Sequence, residues 1–258
     1  MSKRENAAFY VGYLNSVPRP LALFLLSFAA IFLGAAIGLA FSLGASIDDP
    51  GNARFVFEEG RQKLVGRLRL DPYPVLHLPA HGDQSPRAIL LSGPGKRGAG
   101  RKVAGLDGEL VEIGGAFLRR GNIDMLQMPG RNAVRRLDEN EAGSLAGYQP
   151  TSARAFGRWR LTGEICDGKC EQGAMRPGRG LAHKACANLC LIGGAPPVFV
   201  SSGSVDGESY FLLADSAGGP LPEEVYDLVA LVIEVEGEVE RRDNLMVFRI
   251  DLDTVRVP

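Results

Sequence analysis

The sequence predicts an all-β exported region of two small barrels behind one N-terminal transmembrane helix. Three observations predict it: a 23-residue uncharged run near the N-terminus, a strand pattern that occurs twice, and a cysteine-rich segment inside the second copy. The 258-residue chain has a formal net charge of -1 and 45% hydrophobic residues. This balance is typical of a globular domain and argues against nucleic acid binding, which usually needs a strongly basic surface.

The run from Leu21 to Leu43 has the length of a membrane span. It contains no charged residue, and as a helix it would rise roughly 35 Å. Arg19 and other basic residues precede it and two aspartates follow, so the positive-inside rule makes residues 1–20 a cytoplasmic tail. Leu43 stands where a signal peptidase needs a small residue. The sequence therefore predicts an uncleaved anchor in a bacterial inner membrane, with the C-terminal domains in the periplasm.

One face of this predicted helix carries small residues. Ala30, Gly34 and Gly38 are spaced by four, which lets a second helix approach closely. The other interpretation is a plain lipid anchor. The predicted partners are the lipid bilayer and another membrane protein.

The exported region contains an internal repeat. Three segments of the first half resemble three segments of the second half in the same order: 64–68 and 161–165, 87–91 and 209–213, 111–125 and 233–246, with Asp124 as one extra residue. Each copy has a glycine inside its first strand and a turn with asparagine after an Arg-Arg pair, features of strongly curved barrels and hairpins. This order predicts tandem OB-like barrels, with domains at 55–130 and 158–258 and a linker at 131–157.

The second copy carries an insertion. Gly163 and Gly237 are 25 residues farther apart than Gly66 and Gly115, and 25 residues is the length of the segment from Cys166 to Cys190. We therefore expect a short helical Cys-rich insertion, residues 166–194, in the first loop of the second barrel, where OB folds often contact ligands.

This insertion holds all four cysteines of the chain, in the pattern C-x3-C-x12-H-x2-C-x3-C. A predicted helix from about residue 181 to 191 puts Cys186 and Cys190 on one face. One interpretation is a metal site, a zinc, copper or iron centre, with ligands Cys170, His183, Cys186 and Cys190, and with Met175 added for copper. The alternatives are two disulfides, Cys166–Cys190 and Cys170–Cys186, or a redox-active thiol pair. The spacing leaves all three open.

The same segment resembles a group of poorly characterised exported bacterial β-barrel proteins. The shared pattern is D-x-x-C, then H-x2-C-x3-C and a Gly/Pro strand entry, matched here by Asp167, Cys170, His183, Cys186 and Cys190. The resemblance covers residues from about 158 to 200, and Cys166 is an addition to it. It implies an envelope location.

Two further groups of residues are weaker candidates. Lys96, Arg97, Arg101 and Lys102 lie in one glycine-rich loop and are candidates for contact with a partner or with lipid phosphates. His77 and His81 lie in a Pro-rich stretch and are expected at the surface. The chain has no G-x-S-x-G, HExxH or P-loop motif. The sequence therefore favours a membrane-anchored envelope accessory or binding subunit, docking on a membrane oxidoreductase or another assembly. The alternative is a metal-carrying or electron-transfer protein.

Overall fold

A computed structural model describes residues 17–46, 53–130 and 133–258. Residues 1–16 of the predicted cytoplasmic tail therefore lie outside the described residues. The α-helices are α1 (Arg19–Ser46), α2 (Gly100–Val103), α3 (Glu139–Ala142) and α4 (Lys184–Ile192). The strands are β1 (Arg54–Phe55), β2 (Gln62–Arg69), β3 (Val75–Leu78), β4 (Arg87–Ser92), β5 (Leu110–Arg120), β6 (Ile123–Gln127), β7 (Val134–Arg136), β8 (Arg154–Asp167), β9 (Pro197–Val205), β10 (Glu208–Asp215), β11 (Val232–Arg242) and β12 (Leu245–Arg256).

The N-terminal helix α1 confirms the apolar run that the sequence predicts. Its stretch Arg19–Ala45 has a mean hydropathy of 2.4 and is long and apolar enough to cross a membrane. Outside the backbone of the helix itself, none of the described atoms lies within 4 Å of where a side chain would begin at Gly34 or Gly38. The chain divides into two compact units, Met1–Asp49 and Pro50–Pro258.

The second unit is mostly β and contains a closed barrel. The barrel order is β10-β12-β11-β8-β9, and its only parallel pair among the described strands is β10 with β12. Its mostly aliphatic core includes three aromatic rings, with the ring centroid of Phe248 5.6 Å from that of Phe199 and 6.0 Å from that of Phe211. These three rings are fully buried and stabilise the barrel through their large apolar area.

A seven-stranded sheet precedes the barrel. Its order is β1-β5-β2-β3-β4-β6, with β7 on β5 and a further pairing between β5 and β6. Strands β2 to β6 therefore form a ring of pairings, in which β4 and β6 are parallel and the other neighbours are antiparallel. The same order of parallel and antiparallel neighbours joins β8 to β12.

A shared apolar cluster and two hairpin asparagines join the sheet to the barrel. The cluster includes Leu90 and Met125 from the sheet and Leu212 and Val247 from the barrel. The β5–β6 hairpin asparagine donates to a β10 carbonyl, Asn122 Nδ2 to Tyr210 O at 3.1 Å. The β11–β12 hairpin asparagine accepts from a β4 amide, Ala88 N to Asn244 Oδ1 at 2.6 Å. Each half thus completes hydrogen bonds in the other.

The segment predicted as a linker, residues 131–157, contains a strand of the first sheet and the start of a barrel strand, which pairs with β11. Strand β7 pairs with β5, and Arg67 donates to the Tyr148 and Ala146 carbonyls, the latter at 2.9 Å. Arg154, the first residue of β8, also belongs to a strand rather than to a connection. Strand β7 and the carbonyls of Ala146 and Tyr148 thus pair with the first sheet, so this part of the segment belongs to the folded unit and is not a free connection.

Candidate metal centre

The cysteine-rich insertion lies between β8 and β9, as the sequence predicts. Cys166 and Asp167 end β8, a helical turn spans Cys170–Ala174, and the 3-10 turn Leu181–His183 runs directly into α4. Gly168 permits the sharp exit from β8, because a Cβ there would lie 2.9 Å from the Pro196 carbonyl oxygen. This local path returns Cys170 to the face of α4 that carries Cys186 and Cys190.

Two groups of potential metal-ligand atoms meet in the insertion, and Cys170 belongs to both. The ligand atoms of Cys170, His183 and Cys186 lie within 4.8 Å of one another, and so do those of Asp167, Cys170 and Cys190. Thiolate, imidazole and carboxylate are the donors that hold zinc and related transition metals. The described residues thus place the four ligands predicted from the sequence in two triads that share Cys170, and the second triad adds Asp167.

Asp167 organises this cluster from a fully buried position. Its Oδ1 accepts from the Cys170 backbone N–H at 2.8 Å, and its Oδ2 lies 3.1 Å from His183 Nε2. A carboxylate on one ring nitrogen fixes the orientation of a histidine and leaves the other nitrogen for a metal. Asp167 therefore positions two of the predicted ligands at once.

The thiols of Cys170 and Cys190 affect each other's pKa. A hydrogen bond between the two thiols raises the pKa of Cys170 far above its usual value and lowers the pKa of Cys190. Both side chains are buried. A metal ion that binds these sulfurs would displace their protons, so its affinity would depend on pH.

Two lysines bring positive charge to the cluster. Lys96 Nζ donates to Cys186 Sγ at 2.6 Å, and this contact raises the pKa of Lys96. Lys169 is buried, donates to the Gly93 and Gly95 carbonyls at 2.7 and 2.6 Å, and has a pKa lowered by burial. Residues 93–98, which we call the glycine loop, therefore belong to the first sheet but contact the insertion directly.

The backbones of the glycine loop and the insertion approach each other too closely for a side chain to fit between them. Gly98 N donates to Gly193 O at 2.8 Å. A Cβ at Gly98 would lie 1.8 Å from Gly194 O, and one at Gly193 would lie 1.8 Å from Lys96 O. Glycine is required here because two backbones meet without space for any carbon between them.

The four cysteines are free thiols in the structure. The two disulfides expected from Cys166, Cys170, Cys186 and Cys190 are thus not formed, and that alternative stays a prediction for an oxidised chain. Cys166 points to Glu164 Oε1 at 3.4 Å and belongs to the apolar cluster between the two halves, where burial raises its pKa well above the usual value. Met175, the added ligand expected for copper, is 47% exposed and belongs to neither ligand group.

The basic residues predicted to contact a partner or lipid have separate environments. Lys96 binds Cys186, and Lys102 donates to the Pro129 carbonyl. Arg97 and Arg101 are exposed. Lys96 already contacts Cys186 of the insertion. Of the four residues predicted to contact a partner or lipid, Arg97 and Arg101 are therefore the two that are exposed and for which no such contact is described.

His77 is a buried residue that sequence reasoning missed, because we expected it at the surface. Its Nδ1 lies 2.7 Å from Asp243 Oδ2, and both side chains are almost fully buried. This contact lowers the pKa of Asp243 against the opposing effect of its burial. The pair joins β3 to the β11–β12 hairpin. The one local sign of it is the turn at Asp243, where the backbone φ is positive, at 53°.

Comparison with family models, curated proteins and solved structures gave no match to this chain.

Proposed function

We propose that this chain is a membrane-anchored metal-binding protein whose Cys/His insertion holds a zinc-class ion. The observation that carries the proposal is the convergence of Cys170 with His183 and Cys186 on one side and with Cys190 on the other. Three thiolates and one imidazole form a closed tetrahedral set. Such a set suits a tightly held metal better than an open catalytic site, which keeps one position for water or substrate.

Asp167 supports the same proposal from outside the four ligands. Its contact with His183 Nε2 is the carboxylate–histidine arrangement that orients metal-bound imidazoles. Residues at these positions are buried and the turn Cys170–Ala174 packs against β5. A metal bound here would therefore fasten the insertion to both halves of the compact unit.

The test is metal stoichiometry of the full chain in mild detergent under reducing conditions. We expect about one zinc ion per chain, measured by elemental analysis and by competition with a chromophoric chelator. Cys170→Ser should abolish stoichiometric binding because Cys170 belongs to both ligand groups. Cys166→Ala is the matched control and should retain the metal, since Cys166 faces Glu164. Equal metal content in Cys170→Ser and the unaltered chain would refute the proposal.

We further propose that the sheet and the barrel are tandem OB-type barrels derived by internal duplication. Leu90 pairs with Met125 as Leu212 pairs with Val247, and both equivalent positions are 122 residues apart. This constant offset supports the repeat and removes the need for Asp124 as an extra residue. Strand glycines support it as well, because a Cβ at Gly66 would meet the His77 carbonyl oxygen at 2.3 Å and one at Gly163 would meet that of Val200 at 2.2 Å.

We place the compact unit on the outer side of a bacterial inner membrane. The support is the charge pattern around α1 and the resemblance of residues 158–200 to exported proteins. A reporter that is active only in the periplasm, fused after Pro258, should be active. A reporter active only in the cytoplasm at that position would contradict the orientation.

A second candidate function is an accessory subunit of a membrane oxidoreductase or another assembly. The small-residue face of α1 at Gly34 and Gly38 favours it. Gly34→Leu with Gly38→Leu should remove a partner that co-purifies in mild detergent, whereas Leu25→Ala with Leu39→Ala should keep it. Retention of the partner by the glycine variant would exclude this face as the contact.

A further inference from the structure

A basic groove lies between the first sheet and the insertion, beside the glycine loop. It has a volume of about 620 Å³, and its lining includes Arg97, Arg101 and Lys102 from the segment after β4 and Ile192 from the end of α4. No carboxylate is among the described residues that line it. We call this feature the basic groove.

The positive charges of the basic groove lack a counter-ion. Within the described ranges no ion pair joins Arg97 or Arg101 to a carboxylate. Burial and the like charge of Arg97 lower the pKa of Lys102, so these cations repel one another. Exposed arginines elsewhere in the compact unit are of both kinds: Arg158 contacts Glu236 at 3.0 Å, whereas Arg61 and Arg256 have no ion pair among the described residues, and neither of these two lines the groove. The arrangement is complementary to an anion.

The lining residue from α4 is apolar and exposed. Ile192 is 63% exposed and Leu189, one helical turn earlier on α4, is 55% exposed. Side chains three residues apart share a helix face. A ligand with a phosphate and an adjoining hydrocarbon chain would contact both the cations and Ile192, whereas a free phosphate would leave Ile192 exposed to water.

The chain itself brings such a ligand close. Positions 47–52 are the whole connection between α1, which is long and apolar enough to span a membrane, and the compact unit that the structure describes from Ala53 onwards. By chain length alone, this connection spans at most roughly 25 Å when fully extended. Basic residues near anionic lipids are attracted to their headgroups.

We propose that the basic groove binds the phosphate of an anionic phospholipid headgroup, with Arg97 and Arg101 on the phosphate and Ile192 against the adjoining hydrocarbon. This site is separate from the metal ligands and goes beyond the proposed function. Bidentate guanidinium groups suit phosphate oxygens in geometry as well as charge.

The test uses the full chain in a nonionic detergent, titrated with dihexanoyl-phosphatidylglycerol. Parallel titrations use dihexanoyl-phosphatidylcholine and inorganic phosphate. Arg97→Gln with Arg101→Gln should weaken binding of phosphatidylglycerol by about 10-fold or more, since each cation near an anionic headgroup contributes a factor of about five. Arg61→Gln with Arg256→Gln removes two other exposed, unpaired charges and should leave the affinity unchanged.

Three results would overturn the proposal. Equal affinity for phosphatidylcholine would remove the role of charge, and equal affinity for inorganic phosphate would assign the groove to the free ion. Equal loss in the control variant would show that only net charge matters. Zinc content measured on the same samples separates the two proposals, because the arginine variant should keep its metal whether or not it binds lipid.

Discussion

Replacing Gly193 by alanine tests the contact between the glycine loop and the insertion. The backbone φ of Gly193 is -73°, so alanine can adopt this conformation without strain. Its Cβ, however, would lie 1.8 Å from the Lys96 carbonyl oxygen and 3.0 Å from the Lys96 carbonyl carbon. A nonbonded carbon and oxygen need more than 3 Å, so one backbone must move by over about 1 Å.

The cost follows from what that movement disturbs. The hydrogen bond from Gly98 N to Gly193 O, at 2.8 Å, and those from Lys169 to the loop would lengthen. Overpacking costs about 1–3 kcal/mol, and a weakened hydrogen bond adds about 1 kcal/mol. For a unit of about 200 residues, a loss of about 2–4 kcal/mol lowers the unfolding temperature by roughly 5–15 °C.

The assay is thermal unfolding of the full chain in detergent, followed by the fluorescence of Trp159, the chain's one tryptophan. The rate at which Cys186 reacts with a thiol reagent is a second measurement, and it should fall because a neighbouring ammonium favours the reactive thiolate and Lys96 would move away from the Cys186 sulfur. Gly100→Ala is the matched control, since no atom lies within 4 Å of its Cβ position. The reasoning is refuted if both variants unfold at the same temperature and Cys186 reacts equally fast in both.

Three further predictions test other contacts. Asp167→Asn should weaken metal affinity by about 10- to 100-fold, measured by chelator competition, because it disturbs the carboxylate that orients His183; an unchanged affinity would leave Asp167 with only a capping role. Asp243→Asn should destabilise the compact unit by about 3 kcal/mol in urea unfolding, since it leaves His77 buried without its charged partner, whereas Asp253→Asn on the exposed end of β12 should have little effect. Burial raises the pKa of Tyr73 to about 12, so the folded form holds this proton more tightly than the unfolded form, and stability should be constant up to about pH 10 and fall between about pH 10 and 12; Tyr73→Phe should flatten that decrease in a pH series of unfolding temperatures.

The sequence predicts well the features that depend on local pattern. The uncharged run specifies α1, the helical spacing of Cys186 and Cys190 specifies α4, and the 25-residue difference between the two proposed repeats predicts an insertion where the structure has the segment between β8 and β9. Each of these signals comes from the period of apolar residues or from turn residues. Cys170 meets α4 because both belong to the one segment that connects β8 to β9.

Contacts between distant segments could not be predicted in the same way. Lys96 and Cys186 are 90 residues apart, and His77 and Asp243 are 166 residues apart. Their pairing depends on how the sheet and the barrel dock, and a Pro-rich stretch or a basic loop carries no periodic signal of a buried partner. The packed segment after β6 was interpreted as a linker for the same reason, because β7 has three residues and is held by β5 rather than by its own pattern.

The two hairpin asparagines also have a consequence for how the chain is made. Ala88 N receives its acceptor from Asn244, which follows it by 156 residues. The first half therefore leaves the ribosome before the residues that complete its hydrogen bonds and cover Leu90 and Met125 have been synthesised. Contacts of such high sequence separation slow folding. A newly synthesised first half lacks these contacts until β10 and the final hairpin arrive, and during that interval its exposed apolar strands are open to binding by a chaperone.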